Sequence, residues 1–219
     1  MRILVALSSI LFSLSVFAAD TAPATEAKTT FVQGKDYELL ADPVRPLDPT
    51  KIEVVEVFAY TCPHCMHFEP LISAWGKKQQ ADVKVVQLHT KWSSQMEPYQ
   101  RGFYTLLTLN LKDKVQTAVF DAVHGQRKDL SDAQAWADFL APFGVDKNKV
   151  VSTYDSFGVT SQIKQADARV RAYRTAGTPE LVVDGKYRIS SSMTNNKQEG
   201  MLVVAQYLVD KIRAERAKP

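Results

Sequence analysis

Residues 52–75 of the chain read IEVVEVFAYTCPHCMHFEPLISAW and decide the fold. The first nine of these residues, 52–60, are rich in β-branched and aromatic side chains, which is typical of a buried strand. After Cys65, apolar residues recur at spacings of two to four, as they do along one face of a helix. The stretch therefore predicts a strand that ends just before Cys62 and a helix that begins just after it.

Cys62 and Cys65 are the two cysteines of the chain. A disulfide between them closes so short a loop that it barely restricts the unfolded chain, so it adds little stability. Its value must be chemical, and a Cys-x-x-Cys pair between a strand and a helix is typical of thioredoxin-like redox proteins. We predict that Cys62 lies at the helix N-terminus, where free N–H groups and the helix dipole stabilise a thiolate. Cys65, one turn further on, is expected to be less exposed.

Three neighbours of the pair are candidates for tuning its chemistry. Pro63 fits the first helical turn, where its missing N–H costs nothing. A protonated His64 would place positive charge beside the Cys62 sulfur, lower its pKa and make the disulfide a stronger oxidant. Glu56 lies in an apolar strand, and as a desolvated carboxylate of raised pKa it would exchange protons with the Cys65 sulfur. The alternatives are that His64 is only a solvated helix residue and that Glu56 faces solvent or caps an edge.

Residues 176–187 read AGTPELVVDGKY and predict a loop, a strand, a tight Asp-Gly turn and a second strand. In the plain interpretation, Pro179 only starts the strand. Near a Cys-x-x-Cys pair we interpret it as a cis-proline, an isomer that about 5% of X–Pro bonds adopt.

The composition and the first residues bound the class and the location of the protein. The chain has 219 residues, of which 45% are hydrophobic and 23% charged, as in ordinary globular proteins. Its formal net charge of +3 is dispersed, so no nucleic-acid partner is expected. Residues 1–18 combine a positively charged start, an apolar run and small residues just before a predicted cleavage site after Ala18. This pattern predicts a signal peptide; the alternative is a retained membrane anchor. Residues 19–30 are predicted to form a flexible lead-in.

From about residue 34 to residue 216, the chain resembles the DsbA family of thiol:disulfide interchange proteins of bacterial periplasms. The motifs that carry the resemblance are Glu56, the Cys-Pro-His-Cys tetrad at 62–65, and Gly-Thr-Pro at 177–179 followed by the Asp-Gly hairpin. The resemblance implies an α/β thioredoxin fold, with a central mixed sheet flanked by helices, that is interrupted by an inserted α-helical domain. We expect the thioredoxin fold at 31–97 and 160–219 and the insertion at 98–159.

Helical patterns at 99–111, 114–124, 132–143 and 147–156 are compatible with such an insertion. For the third helix, Ser131 with Gln134 predicts a capping box. For the fourth, Asp146 is the predicted N-cap.

The resemblance also implies roles for individual residues. Cys62 is the exposed cysteine that is attacked, and Cys65 is its buried partner. His64 stabilises the thiolate, and Glu56 is the buried acid. These roles agree with the chemistry inferred above from the residue types.

The resemblance also implies a role for residues 177–179, the proline loop. Pro179 is the cis-proline beside the cysteines, and Thr178 pairs its backbone with a bound peptide. Many relatives have valine at the position of Thr178, and some have lysine at the position of Gln87. The hydroxyl of Thr178, close to the Cys62 sulfur, leaves the thiolate stability and the release of partners open, and Gln87 leaves the charge balance around Glu56 open.

The implied activity is that of a periplasmic oxidoreductase that donates the Cys62–Cys65 disulfide to newly exported, unfolded polypeptides through a mixed disulfide on Cys62. Its clients are held at Thr178 and in an apolar groove. No cofactor is expected beyond the redox-active disulfide, the protein is expected to be a monomer, and an inner-membrane, quinone-linked reoxidase of the DsbB type is the implied partner.

Three other functions stay open at this point. A periplasmic disulfide reductase or isomerase would share the fold and reverse the direction of exchange. A metal-binding module would use the cluster of Cys62, His64, Cys65 and His67. A passive peptide-binding chaperone would not need the cysteines at all.

Overall fold

A five-stranded mixed sheet lies at the centre of the computed structural model, which describes residues 30–218. The strands are β1 (Glu38–Leu39), β2 (Ile52–Phe58), β3 (Val83–His89), β4 (Glu180–Val183) and β5 (Tyr187–Ser190). Their order in the sheet is β1-β5-β4-β2-β3. Strands β2 and β3 are parallel, and the other pairs are antiparallel. This is the mixed sheet predicted for a thioredoxin fold.

Residues 30–218 also form seven α-helices. They are α1 (Pro63–Lys77), α2 (Glu97–Thr108), α3 (Lys112–Phe120), α4 (Ala133–Leu140), α5 (Lys147–Tyr154), α6 (Phe157–Ala172) and α7 (Gln198–Arg216). One core cluster joins the sheet to α1 and α7, and a second joins it to α2–α6. Helices α2–α5 follow β3 in the chain, in the segment where the insertion is predicted; the domain boundaries themselves stay a prediction.

Strand β2 lies between β3 and β4, and all seven of its residues are buried. Because both of its faces pack against side chains, the strand has the continuous valine-rich composition of a sheet interior rather than an alternating pattern. The end of β2 leads directly to Cys62. The most buried strand of the sheet thus positions the redox pair.

Turns and caps follow the local sequence with one exception. Asp184 and Gly185 both have positive φ, as the tight turn between β4 and β5 requires. Asp146 caps α5 as predicted, accepting a hydrogen bond from the Lys149 N–H at 2.8 Å. The prediction of a capping box with Ser131 as the N-cap is wrong. The N-cap of α4 is the next residue, Asp132, whose extended backbone brings its carboxylate to 2.8 Å from the Ala135 nitrogen.

The predicted signal peptide at 1–18 and nearly all of the predicted lead-in lie outside the described residues. Among residues 30–218, no helix has both the length and the apolar character needed to cross a membrane.

Candidate active site

Cys62 lies at the junction of strand and helix, as predicted. It is the N-cap of α1, with extended backbone angles, and Pro63 is the first helical residue. Both cysteines are free thiols. Cys65 is fully buried, whereas Cys62 is partly exposed. The sulfur that solvent and other molecules can reach is therefore that of Cys62.

The proline loop lies directly against this sulfur. The Thr178–Pro179 peptide bond is cis, as predicted. The Cys62 thiol donates a hydrogen bond to the carbonyl oxygen of Thr178, with 3.3 Å between sulfur and oxygen. These residues are 116 positions apart in the chain, and the antiparallel pairing of β2 with β4 brings them together.

The surroundings of Cys62 favour its thiolate. A hydrogen bond from the Cys65 side chain is the largest influence that lowers the pKa of Cys62, and the Thr178 side chain and the main-chain N–H groups of Cys65 and His64 act in the same direction. Partial burial opposes them, and the resulting pKa of Cys62 is about 5. The side chain of His64 is exposed. In this structure, His64 acts on the sulfur through its main chain.

Cys65 has the opposite character. Burial raises the pKa of Cys65 far above its ordinary value, and the hydrogen bond to Cys62 and the negative charge of Glu56 raise it further. In the reduced protein, Cys62 thus holds the negative charge and Cys65 keeps its proton.

Glu56 is a buried acid, with 1% of its surface exposed. It lies opposite Gln87 in the parallel pairing of β2 and β3, and the Gln87 amide donates a hydrogen bond of 2.7 Å to its carboxylate. Burial raises the pKa of Glu56 to about 8, the charge of Glu69 adds to that rise, and Gln87 and Lys112 partly offset it. An acid with this pKa carries a proton near neutral pH.

A polar network extends from Glu56 toward solvent, and the sequence predicted only its first two members, Glu56 and Gln87. Gln87 also donates to Glu69 at 2.8 Å and accepts from Lys112 at 2.9 Å. Gln116 donates to Glu69 at 3.1 Å. All these residues except Glu56 line a cavity of about 500 Å³ between α1, β3 and α3. A signal for Glu69 existed, because it follows Cys65 by four residues and so lies on the same side of α1.

Three side chains from distant segments hold Tyr60, two residues before Cys62. The Tyr60 N–H donates to Nε2 of His89 at 2.9 Å, and Nε2 of His124 donates to the Tyr60 carbonyl at 2.8 Å. The Tyr60 hydroxyl donates to Gln116 at 2.6 Å. These bonds explain why β2 ends at Phe58 rather than at residue 60 as predicted. No local sequence pattern predicted that His89 and His124 would form hydrogen bonds with the main chain of Tyr60.

His124 reaches Tyr60 from a π-helical turn, Asp121–Gly125, that continues α3. The helical pattern at 114–124 predicts a plain helix there. π-Helical turns are rare and frequently occur at functional sites. This one brings an imidazole to the loop that carries the cysteines.

Two cavities flank the Thr178–Pro179 bond, with volumes of about 330 and 450 Å³. The first also contains Glu38, Glu180 and Arg188. The second runs past His64, and its remaining lining is Ser191, Asn196, Lys197, Gln198 and Glu199. Most of the residues that line the two cavities have polar side chains. The apolar groove for clients stays a prediction.

The metal-binding interpretation finds no support in the described residues. Within 30–218, no group of three or more His, Cys, Asp or Glu side chains is placed to hold a metal ion. The chemistry that the site supports is exchange at the sulfur of Cys62, with Cys65 as a protonated partner and Glu56 as an acid next to it.

Comparisons with known proteins agree with this chemistry. Residues 72–202 match the family model described as "DSBA-like thioredoxin domain". The chain is 41% identical to the thiol:disulfide interchange protein DsbA of Pseudomonas aeruginosa over 188 residues, covering 86% of this chain and 89% of that protein. It is 37% identical to the protein of that name from Burkholderia cepacia, covering 96% and 98%. The crystal structure of the Pseudomonas aeruginosa protein superposes with a TM-score of 0.82, covering 86% and 97%.

Proposed function

The chain belongs to the family of DSBA-like thioredoxin domains, and from this premise we propose that it donates a Cys62–Cys65 disulfide to unfolded polypeptides in the bacterial periplasm. It is a thiol:disulfide oxidoreductase. The observation that carries the proposed direction is the contrast between the two sulfurs: the pKa of Cys62 is about 5, and that of Cys65 is raised. A thiolate that is stabilised in the reduced protein makes the corresponding disulfide easier to reduce, and so a stronger oxidant.

The first step is attack by a client thiolate on the sulfur of Cys62 in the oxidised protein. A mixed disulfide forms between the client and Cys62, and the bond between Cys62 and Cys65 breaks. The electron pair of that bond leaves with the Cys65 sulfur, which lies in surroundings that disfavour its charge. Glu56, protonated near neutral pH, supplies the proton that this sulfur takes up.

In the second step, another thiolate of the client attacks the client sulfur of the mixed disulfide. A client disulfide forms, and Cys62 leaves as a thiolate. Its low pKa makes it a good leaving group. In total, two client thiols lose two electrons and two protons, and the protein disulfide takes up the two electrons. One proton replaces the one that Glu56 gave to Cys65, and the other goes to solvent.

Thr178 supports binding of an extended client segment, because its backbone lies against the sulfur that reacts. We propose that the clients are newly exported polypeptides, that a quinone-linked membrane reoxidase of the DsbB type restores the disulfide, and that the protein acts as a monomer without a cofactor. Pro63 and Pro179 complete the proposed site with Cys62, His64, Cys65, Glu56 and Thr178.

Titration of the reduced protein tests this function. We expect the ultraviolet absorbance of the Cys62 thiolate to appear with a midpoint near pH 5, as the pKa of about 5 requires. Because this pKa is lowered in the folded state, the thiolate adds stability to the reduced form above the unfolded pKa of about 8.5, and that contribution declines as pH falls through about 5. Thermal unfolding of the reduced form between these pH values measures it.

A thiolate midpoint near pH 8.5 would contradict the proposed function. Equilibration with glutathione separates it from the reductase or isomerase alternative. We expect a reduction potential above about −200 mV, and a value below that favours the alternative.

The role of His64 is tested by His64→Ala. If the imidazolium stabilises the thiolate, the variant has a higher Cys62 pKa and a lower reduction potential than the parent, by tens of millivolts, since about 30 mV corresponds to 1.4 kcal/mol. His67→Ala is the matched control, because His67 is also exposed on the same helix but lies about one turn further from Cys62. An unchanged potential in His64→Ala would mean that the side chain has no part in stabilising the thiolate.

A further inference from the structure

Two carboxylates share the side-chain amide of one glutamine beneath the redox pair. The Nε2 atom of Gln87 donates to Glu56 at 2.7 Å and to Glu69 at 2.8 Å. Two like charges this close disfavour each other, so the pair tends to retain a proton. An uncharged amide cannot balance them, and the position opposite Glu56 on β3 carries no charge of its own.

The compensating charge comes from another element. Lys112, the first residue of α3, donates from Nζ to Oε1 of Gln87 at 2.9 Å. Its side chain is only 25% exposed, so water screens its charge less than that of a free surface lysine. Gln87 therefore receives a hydrogen bond from a cation on one side and donates to two carboxylates on the other.

The other groups around Glu56 do not offer an equivalent charge. Cys62, the N-cap of α1, and Glu69, within α1, are acidic groups, and both raise the pKa of Glu56. From β4, Leu181 lies opposite Glu56 in the sheet and is apolar. From α3, Gln116 is neutral and donates to Glu69. Among the groups with the largest influence on the pKa of Glu56, Lys112 is the one with a positive charge.

The other contact of Lys112 is with its neighbour Asp113, at 2.7 Å. The Asp113 carboxylate is 92% exposed. An ion pair with so exposed a partner is worth little. The bond to Gln87 is therefore the contact that directs the charge of Lys112 inward.

We propose that Lys112 is a positioning residue for the exchange reaction: acting through Gln87, it supplies the counter-charge of the Glu56–Glu69 pair and so sets the pH range in which Glu56 can give a proton to Cys65. This rests on the proposed function of Glu56. By this arrangement, the first residue of α3 influences the acid–base chemistry of a cysteine on α1.

The test is a titration of the Glu56 carboxyl group by ¹³C NMR in the full-length protein, with Glu56→Gln to assign its signal. In Lys112→Met, we expect the Glu56 midpoint to rise by about 0.5–1 pH unit, less than the roughly 1–3 units of a directly contacting charge. Lys112→Arg should restore the parent midpoint. Lys114→Met is the matched control, because Lys114 is on the same helix but is exposed and bonds to the Phe143 carbonyl.

The rate at which glutathione reduces the oxidised protein gives a second readout. When this rate is divided by the concentration of glutathione thiolate, we expect it to decline at high pH, where Glu56 loses its proton. That decline should move upward in Lys112→Met by the same amount and stay in place in Lys114→Met. If Lys112→Met does not fold, Lys112→Gln removes the same charge and is measured instead.

An unmoved Glu56 midpoint in the charge-removing variant, or an equal shift in Lys114→Met, would overturn the inference. Such a result leaves the proposed function standing if Cys62 still titrates near pH 5. A Cys62 midpoint near pH 8.5 in the parent protein would instead overturn the proposed function, whatever Lys112 does.

Discussion

Cys62→Ser should lose all transfer of disulfides to an unfolded client, whereas Cys65→Ser should accumulate a covalent complex with it. A serine hydroxyl can neither accept attack in a disulfide nor form a thiolate, so the first variant has no reactive sulfur at the exposed position. In the second, Cys62 keeps its exposed position and is first converted to a mixed disulfide with glutathione. A client thiolate attacks the Cys62 sulfur and glutathione leaves, and Cys65 is no longer present to reverse the resulting client–Cys62 disulfide. Both variants are therefore expected to lose turnover to the same extent, but only Cys65→Ser should trap a covalent complex with the client.

Reoxidation of a reduced, unfolded test protein measures turnover, and electrophoresis without reductant detects the trapped complex. Circular dichroism of both variants serves as the control for folding; the Cys62 side chain makes no N-cap hydrogen bond whose loss would weaken α1. A complex that forms on Cys65 in Cys62→Ser, as abundantly as on Cys62 in Cys65→Ser, would contradict the assignment of the exposed sulfur as the one attacked.

Gly102→Ala should destabilise the protein strongly although it adds only a methyl group. Gly102 lies within α2, and a Cβ built on it would come within 2.0 Å of the indole ring of Trp136. Trp136 is fully buried on α4, so its ring has no space to retreat. Overpacking of this kind costs about 3 kcal/mol at the upper end of its usual range, well above the roughly 1 kcal/mol by which alanine is the better helix former.

In a domain of this size, such a loss lowers the melting temperature by roughly 6–12 °C. Differential scanning calorimetry measures it. Gly158→Ala is the matched control, since Gly158 also lies in a helix but its added Cβ meets only the Ser156 hydroxyl at 3.7 Å. We expect that variant to be as stable as the parent or more stable. Equal melting temperatures for both variants would mean that α2 and α4 can separate without cost.

Local sequence was sufficient for the elements that carry the reaction. Hydrophobic pattern and residue type predicted β2, the start of α1 and the turn at Asp184 and Gly185, because these depend on neighbours within a few residues. The exact residues at which helices begin and end were harder to predict. Asp132 rather than Ser131 caps α4, since the capping residue is the one whose backbone is extended at the helix start, and two adjacent polar residues offer the same signal.

The environment of the acidic residues on β2 could not be predicted in the same way. Glu53 and Glu56 are both 1% exposed, yet Glu53 pairs with Arg169 from α6, and Glu56 lies beside a second acid. Their sequence surroundings, apolar residues of one strand, are nearly identical. Only the partners supplied by other elements distinguish the two carboxylates.

The sequence by itself determined that a reactive cysteine begins a helix after a buried strand, because a two-residue spacing and the end of a helix are local properties. Tertiary structure decided how that cysteine is surrounded. It places the Thr178 carbonyl 3.3 Å from the sulfur and brings two imidazoles to Tyr60. It also forms the cavities beside Pro179 and directs the charge of Lys112 toward the buried acids. Burial and electrostatic interactions depend on distance in space. Residues as far apart as Cys62 and Thr178 acquire those distances only when the sheet closes around them.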